Sequence, residues 1–213
     1  MKRLILSLAL ISSGTLFAQN WKLPVITSPK FKKDTLSILK AGAMPDGFTL
    51  NTTAINSSIE ALSKKGGGVV LVPAGIWLTG PVVLRSNVNL HLATGATLLF
   101  TKDKNQYPLI EANWEGLPQM RNQSPISATG AVNIAITGKG IIDGNGDVWR
   151  AVKKDKFTES QWKRKVESGG VLSDDKKTWY PSAGFLKGSK MPANPGMIVP
   201  GKDRAFYDSI KDF

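Results

Sequence analysis

The sequence predicts an all-β chain, and two observations carry that expectation. From Val69 to Phe100, apolar pieces of three to five residues follow one another between Gly, Pro and Asn, too short and too closely spaced for helices. In addition, Val88-Asn89-Leu90-His91-Leu92 and Val132-Asn133-Ile134-Ala135-Ile136 share one pattern at a spacing of 44 residues, each followed by a glycine turn and a second apolar piece, Thr97–Leu99 and Gly140–Ile142. Periods of about 20 to 50 residues mark stacked repeats, so these segments read as two coils of a solenoid. An antiparallel sandwich also produces short strands with glycine turns, and the pattern alone leaves both architectures open.

Taken in order, the chain starts with Lys2 and Arg3 before the apolar run Leu4–Ile11, then Ser12-Ser13-Gly14 and Ala18. That order predicts a signal peptide over residues 1–18, cleaved after Ala18, and a secreted or periplasmic product. The run is shorter than the ~18 apolar residues that a bilayer span needs. A connector over 19–34 leads to an alternating strand, Thr35–Leu39, and a turn at Asp46-Gly47. Ile55, Ile59 and Leu62 fall on one helical face between Asn51 and Lys65, with Thr52 or Thr53 as N-cap and Gly66 as stop. Strands then follow over Val69–Val72, Ile76–Thr79, Val82–Leu84, Val88–Leu92 and Thr97–Phe100. Lys102 to Asn122 reads as a loop with two aromatic residues, Tyr107 and Trp114. Beyond Trp149, Thr158-Glu159-Ser160-Gln161 is a capping box that starts a short helix ending near Gly169-Gly170. The rest is punctuated by Pro181, Pro192, Pro195 and Pro200, and Asp203–Phe213 reads as the start of an amphipathic segment. A solenoid ends in a polar cap over its last rung. None is legible, which predicts a truncated fold.

Composition narrows the chemistry. With no Cys, disulfide frameworks, cysteine-rich zinc sites and thiol nucleophiles are excluded. A single histidine, His91, leaves Asp and Glu as the acid–base groups. The formal charge of +12 would draw a polyanion, and outside the cytoplasm an acidic polysaccharide is a more available partner than nucleic acid. Ten of the cations lie between Lys153 and Lys190, interspersed with Asp and Glu, which also fits a solvated mixed-charge surface.

Gly42-Ala43-Met44-Pro45-Asp46-Gly47, Asn51-Thr52-Thr53-Ala54-Ile55, Gly66-Gly67-Gly68 through Val72-Pro73-Ala74-Gly75, and Asn89 to Phe100 together resemble the N-terminal signature of the pectinase-like β-helix superfamily. Asn133 through Asp143-Gly144-Asn145-Gly146-Asp147-Val148-Trp149 narrows the resemblance to glycoside hydrolase family 28, the polygalacturonases, over roughly residues 35 to 180. The resemblance implies a right-handed parallel β-helix with a capping α-helix. Residues 35–152 would be that helix and the first coils, and 153–213 a polar insertion with the incomplete start of further coils. It also implies inverting hydrolysis of α-linked galacturonic acid in pectin, by one acid and one water-activating carboxylate. The family's Asn-Thr-Asp, Asp-Asp, Gly-His-Gly and Arg-Ile-Lys motifs are absent, so no catalytic residue is assigned and the 213-residue chain is expected to be inactive alone.

Arg121 could pair with a uronate carboxylate, and Trp149 could stack on a sugar face; both could equally serve packing. Asp174-Asp175 reads as a solvated pair without strand flanks, and His91 as a structural residue within a strand. Asp143, Asn145 and Asp147 begin like a calcium loop, but Val148 and Lys154 stand where Gly and Glu are required, so no metal or cofactor is expected. Asn51-Thr52-Thr53 and Asn122-Gln123-Ser124 match glycosylation sequons. Two rivals remain: a polysaccharide lyase on the same scaffold, commonly calcium-dependent, and a non-catalytic module that binds acidic glycans.

Overall fold

A computed structural model describes residues 23–192 and 194–213. The expected signal peptide and the cleavage point after Ala18 lie outside the described residues. The first strand, β1 (Thr35–Ser37), is shorter than expected, because Ile38–Ala41 winds into a 3-10 turn that Gly42 closes at φ +85°. Next come α1 (Thr52–Lys64), β2 (Gly68–Val72), β3 (Gly75–Thr79), β4 (Val82–Val83), β5 (Val88–Leu92) and β6 (Ala96–Phe100). The chain continues through β7 (Leu109–Trp114), β8 (Leu117–Asn122), β9 (Ile126–Ser127), β10 (Ala135–Gly138) and β11 (Ile141–Asp143).

Three parallel sheets result, in orders β1-β2-β5-β10, β3-β6-β11 and β4-β9. Each coil contributes one strand to each sheet in turn, and the next coil lies directly on it. The parallel registers exclude the antiparallel sandwich. In β2, β5 and β6 alternate residues are buried, so Val70 lies beside Leu90 and Val72 beside Leu92 inside the stack. Trp77, Leu98 and Phe100 fill the same core, and Ile38, Ile55, Ile59 and Leu62 join it from one side. The i, i+4, i+7 spacing of the last three is why α1 packs here: it gathers them on one apolar face. Burying each such side chain is worth about 1.5–3 kcal/mol.

The two segments spaced 44 residues apart do lie on two stacked coils, and the structure shows what sets the length of the step. Val69 pairs with Asn89 and Asn89 with Ala135, so β5 and β10 are immediate neighbours, with no coil between them. The bare coil is the shorter step, and the longer one is a coil carrying the inserted β7–β8 hairpin. Val88 is moreover not in register with Val132. The first sheet pairs His91 with Thr137, whereas the second pairs Thr97 with Ile141, so the corner after β10 is two residues tighter than the corner after β5. Gly138, at φ +104°, and Gly140 make that tightening feasible: a Cβ on Gly138 would overlap the Leu92 carbonyl, and one on Gly140 would meet Leu92 Cβ at 2.6 Å. Leu92 O accepts from the amides of both Lys139 and Gly140 at this corner.

Asn51, not Thr52 or Thr53, caps α1, but its side chain serves the core instead of the helix end. It is 2% exposed, donates to the carbonyls of Met44, Thr49 and Leu78, and accepts from the Met44 amide. The first sequon is therefore closed to modification in the folded chain.

After β11 no further parallel strand occurs among the described residues. Where the sequence suggests a polar insertion and further coils, β12 (Val152–Lys153), α2 (Glu159–Glu167), β13 (Val171–Leu172) and β14 (Thr178–Tyr180) form a small antiparallel unit of order β12-β14-β13. Thr158 and Gln161 complete the capping box of α2 as the sequence indicates. Two short helices, α3 (Ala183–Ser189) and α4 (Arg204–Asp208), follow.

Candidate functional site

The candidate groove lies where the second coil is interrupted. After β6 the chain leaves the stack, forms a 3-10 turn over Lys104–Gln106, and runs through the β7–β8 hairpin before β9 returns to the third sheet. The stretch read as a loop is thus a paired ribbon. Its turn is Glu115-Gly116, both at positive φ (51° and 83°), with Asn113 Oδ1 accepting from the Gly116 amide at 2.9 Å. The Gly after Glu115 is the signal for such a turn, but Pro118 and the polar residues around it hide the strand alternation.

Tyr107 is the post on which the groove is built. Its ring is buried, its hydroxyl donates to the Thr101 carbonyl at 2.9 Å, and it meets the Trp149 ring edge-on with centroids 5.2 Å apart. Burial, with a smaller contribution from the Asp103 carboxylate, pushes the hydroxyl up to about 12, so Tyr107 stays neutral. Trp149 is the last residue of a 3-10 helix over Gly146–Trp149 and is half-buried.

Arg121, on β8 opposite Ile110, places its Cζ 4.2 Å from the centre of the Trp114 ring and donates from Nη1 to Gln119 Oε1 at 3.4 Å. Gln119 is 2% exposed, and its Nε2 has no hydrogen-bond partner among the described residues. Arg121 and Trp149 line one groove of ≈ 580 Å³ with Tyr107, Trp114 and Asn122. Arg121 also borders a smaller cavity of ≈ 290 Å³ that Gln119 shares. A guanidinium offers a planar fork of donors matched to a carboxylate, and the aromatic rings offer faces for the apolar side of a sugar. Neither Tyr107 nor Trp114 was assigned from sequence, because an aromatic in a presumed loop carries no period.

Carboxylates are scarce in the groove. Glu111 lines it alone among the acidic residues. Asp174-Asp175 sits at the turn between β13 and β14, so it does have strand flanks; even so, Asp174 is 95% exposed, with Lys190 Nζ at 3.5 Å. Asp175 accepts from Ser173 Oγ and from the Lys177 amide, and these hydrogen bonds hold its carboxyl below the usual range. His91 lies on β5, with Nδ1 2.8 Å from Thr137 Oγ1 on the next coil. The Thr137 hydroxyl donates to Asn89 Oδ1 at 2.9 Å, so His91, Thr137 and Asn89 together link two coils.

Asp143, Asn145 and Asp147 diverge instead of converging. Asp143 Oδ1 accepts from the Asn145 amide, the Asn145 side chain donates to the Phe100 carbonyl, and Asp147 pairs with Lys102 at 2.9 Å. The Lys102 hydrogen bond holds the Asp147 carboxyl below its ordinary value. Among the described residues no group of three His, Cys, Asp or Glu is placed to hold a metal, and no helix is long and apolar enough to cross a membrane.

No family model matches the chain. Among curated proteins it is 37% identical over 163 residues to an exo-poly-α-D-galacturonosidase of Dickeya chrysanthemi, covering 70% of this chain and 27% of that one. It is 27% identical over 217 residues to an endo-polygalacturonase of Pectobacterium carotovorum subsp. carotovorum, covering 95% of this chain and 44% of the relative. Among solved structures, an exopolygalacturonase from Thermotoga maritima superposes with a TM-score of 0.57 at 28% identity, covering 83% of this chain and 38% of that one. The chain therefore spans between about a quarter and under half the length of these relatives.

Proposed function

We infer, from the premise that this chain is a polygalacturonase-like polypeptide of the glycoside hydrolase family 28 type, that it belongs to the hydrolysis of pectin and contributes the N-terminal coils and a galacturonate-binding groove. In this reading the three parallel sheets are the start of a right-handed β-helix capped by α1, and the product is exported. One observation carries the assignment of the groove: the hairpin and the Gly146–Trp149 turn bring Arg121 and Trp149, distant in sequence, to one cleft. Arg121, with the Trp114 ring centre 4.2 Å from its Cζ, holds a uronate carboxylate. Trp149, fixed edge-on by Tyr107, takes a sugar face.

Inverting hydrolysis requires an acid and a base carboxylate on opposite faces of the glycosidic bond, roughly 6.5–9.5 Å apart, with room for water between them. The groove has Glu111 alone, so the 213-residue chain binds without cleaving. The test pairs binding with turnover. Titration with trigalacturonate is expected to show salt-sensitive binding that Arg121→Gln and Trp149→Ala each weaken by about tenfold, equivalent to ~1.4 kcal/mol, while no reducing ends are released from polygalacturonate. Cleavage by the chain would overturn the assignment of binding alone. Unsaturated, ultraviolet-absorbing products abolished by a chelator would replace hydrolysis with the lyase reading. Unchanged affinity in both variants would remove the groove.

A further inference from the structure

The cations of the 153–190 stretch are not uniformly solvated. On α2, Gln161, Arg164 and Lys165, with Ser168 at the cap, recur at the three- and four-residue spacing of one helical face. That face borders a cavity of ≈ 590 Å³ whose opposite wall carries Lys102 and Lys104 from the segment after β6. Four cations meet one carboxylate, Asp147, which Lys102 already engages at 2.9 Å. Among the described residues, Lys104, Arg164 and Lys165 have no ion-pair partner. Lys104 Nζ donates to the Pro181 carbonyl, and Lys165 Nζ lies 3.8 Å from the centre of the buried Trp179 ring. Burial lowers the Lys165 pKa, and the charges of Lys102 and Lys104 lower it further, against the opposing pull of Asp147. The negative end of the helix accounts for two cations in the last turn of α2. It does not account for two more converging from another part of the fold, where their repulsion needs an anion to relieve it.

The position of the cavity suggests which anion. Asp147 and Val148 line it, whereas Trp149, the next residue, lines the groove of Arg121. Lys104 borders the cavity and Tyr107 the groove. The two sites therefore flank the same short helix, Gly146–Trp149. We propose that this cavity is a second anion site, in which Lys104, Arg164 and Lys165 receive carboxylates of a polyuronate chain whose other end occupies the Arg121–Trp149 groove. The proposal rests on the galacturonate reading for the identity of the polymer, but its geometry is independent of it.

The experiment is a length series titrated into the 213-residue chain: digalacturonate, hexagalacturonate and inorganic sulfate, with wild type, Arg121→Gln, Lys165→Gln and the double variant Arg164→Gln/Lys165→Gln. Lys165→Gln alone is expected to keep or raise the unliganded melting temperature, since it removes a desolvated charge, which shows that the pocket folds without it. The double variant is expected to lose at least tenfold in hexagalacturonate affinity while binding digalacturonate like wild type. Unchanged hexagalacturonate affinity in the double variant would overturn the site. Sulfate binding that is as tight as hexagalacturonate binding and equally sensitive to Lys165→Gln would overturn the polymer as its occupant. If Arg121→Gln leaves digalacturonate binding intact while the double variant still weakens hexagalacturonate, the groove reading fails and the cavity stands.

Discussion

Tyr107 shows how a single buried side chain fixes the wall of a groove. Its neutral hydroxyl is spent on Thr101 and its ring on Trp149, so its environment penalises ionisation. The sign follows: the folded-state pKa of about 12 lies above the ordinary value of 10, so the unfolded chain loses this proton first. The stability this group contributes is complete below pH 10 and is lost as pH rises through about 12. Urea midpoints at pH 8 and pH 11 should therefore converge more closely in Tyr107→Phe than in wild type; an identical alkaline loss in both would discount the buried hydroxyl. At Arg121 the partner is the exposed Trp114 ring. Trp114→Ala should weaken trigalacturonate binding less than Arg121→Gln does, by roughly the 0.5–1 kcal/mol of an exposed cation–π contact, as read by titration calorimetry. Asn122 and Gln119 could not have been placed in sequence, since their roles come from the hairpin pairing.

Among the elements, those with a local signal were legible and those defined by remote pairing were not. The Ile55, Ile59, Leu62 face gave α1, and Thr158 with Gln161 gave the cap of α2, because both patterns are complete within one helical turn or two. Thr158→Ala should cost about 1 kcal/mol by thermal or urea unfolding; a loss confined to a few tenths would show that the box is not engaged. The strands of the first two coils were legible through alternation. The β7–β8 ribbon was missed because it breaks the usual apolar-in, polar-out alternation: Ile110, Trp114 and Leu117 are exposed, whereas Gln119 is buried. The 44-residue spacing did mark two stacked coils, but its length comes from the inserted β7–β8 hairpin, which the sequence did not show. The corner after β10 offers a sharp check. Gly138→Ala, forced to positive φ and against the Leu92 carbonyl, should destabilise by several kcal/mol, whereas Gly144→Ala, where nothing lies near, should be close to neutral. Equal effects in calorimetry would contradict the register of β10 on β5.

For the whole molecule, the stack of parallel coils does two things at once. Its interior columns, Val70 with Leu90 and Val72 with Leu92, provide cohesion, and its interruptions provide sites. The groove forms at the excursion between β6 and β9, and the basic cavity forms where the antiparallel unit after Trp149 folds back toward that excursion. At the face beyond β10 and β11, Ile136, Ile141 and Ile142 remain exposed. The fold class could be read in the sequence only with the family resemblance, since short strands with glycine turns suit a sandwich equally well; it is the parallel register that decides. The expectation of a pectin-type ligand likewise came from motif resemblance and net charge, whereas the cleft that would receive it exists only in three dimensions. The central claim, that a galacturonate chain lies between Arg121 and Trp149, is tested most directly by a crystal structure of the chain with trigalacturonate. The account predicts a uronate carboxylate on the Arg121 guanidinium and a sugar ring against Trp149; a saturated complex with that cleft empty would contradict it.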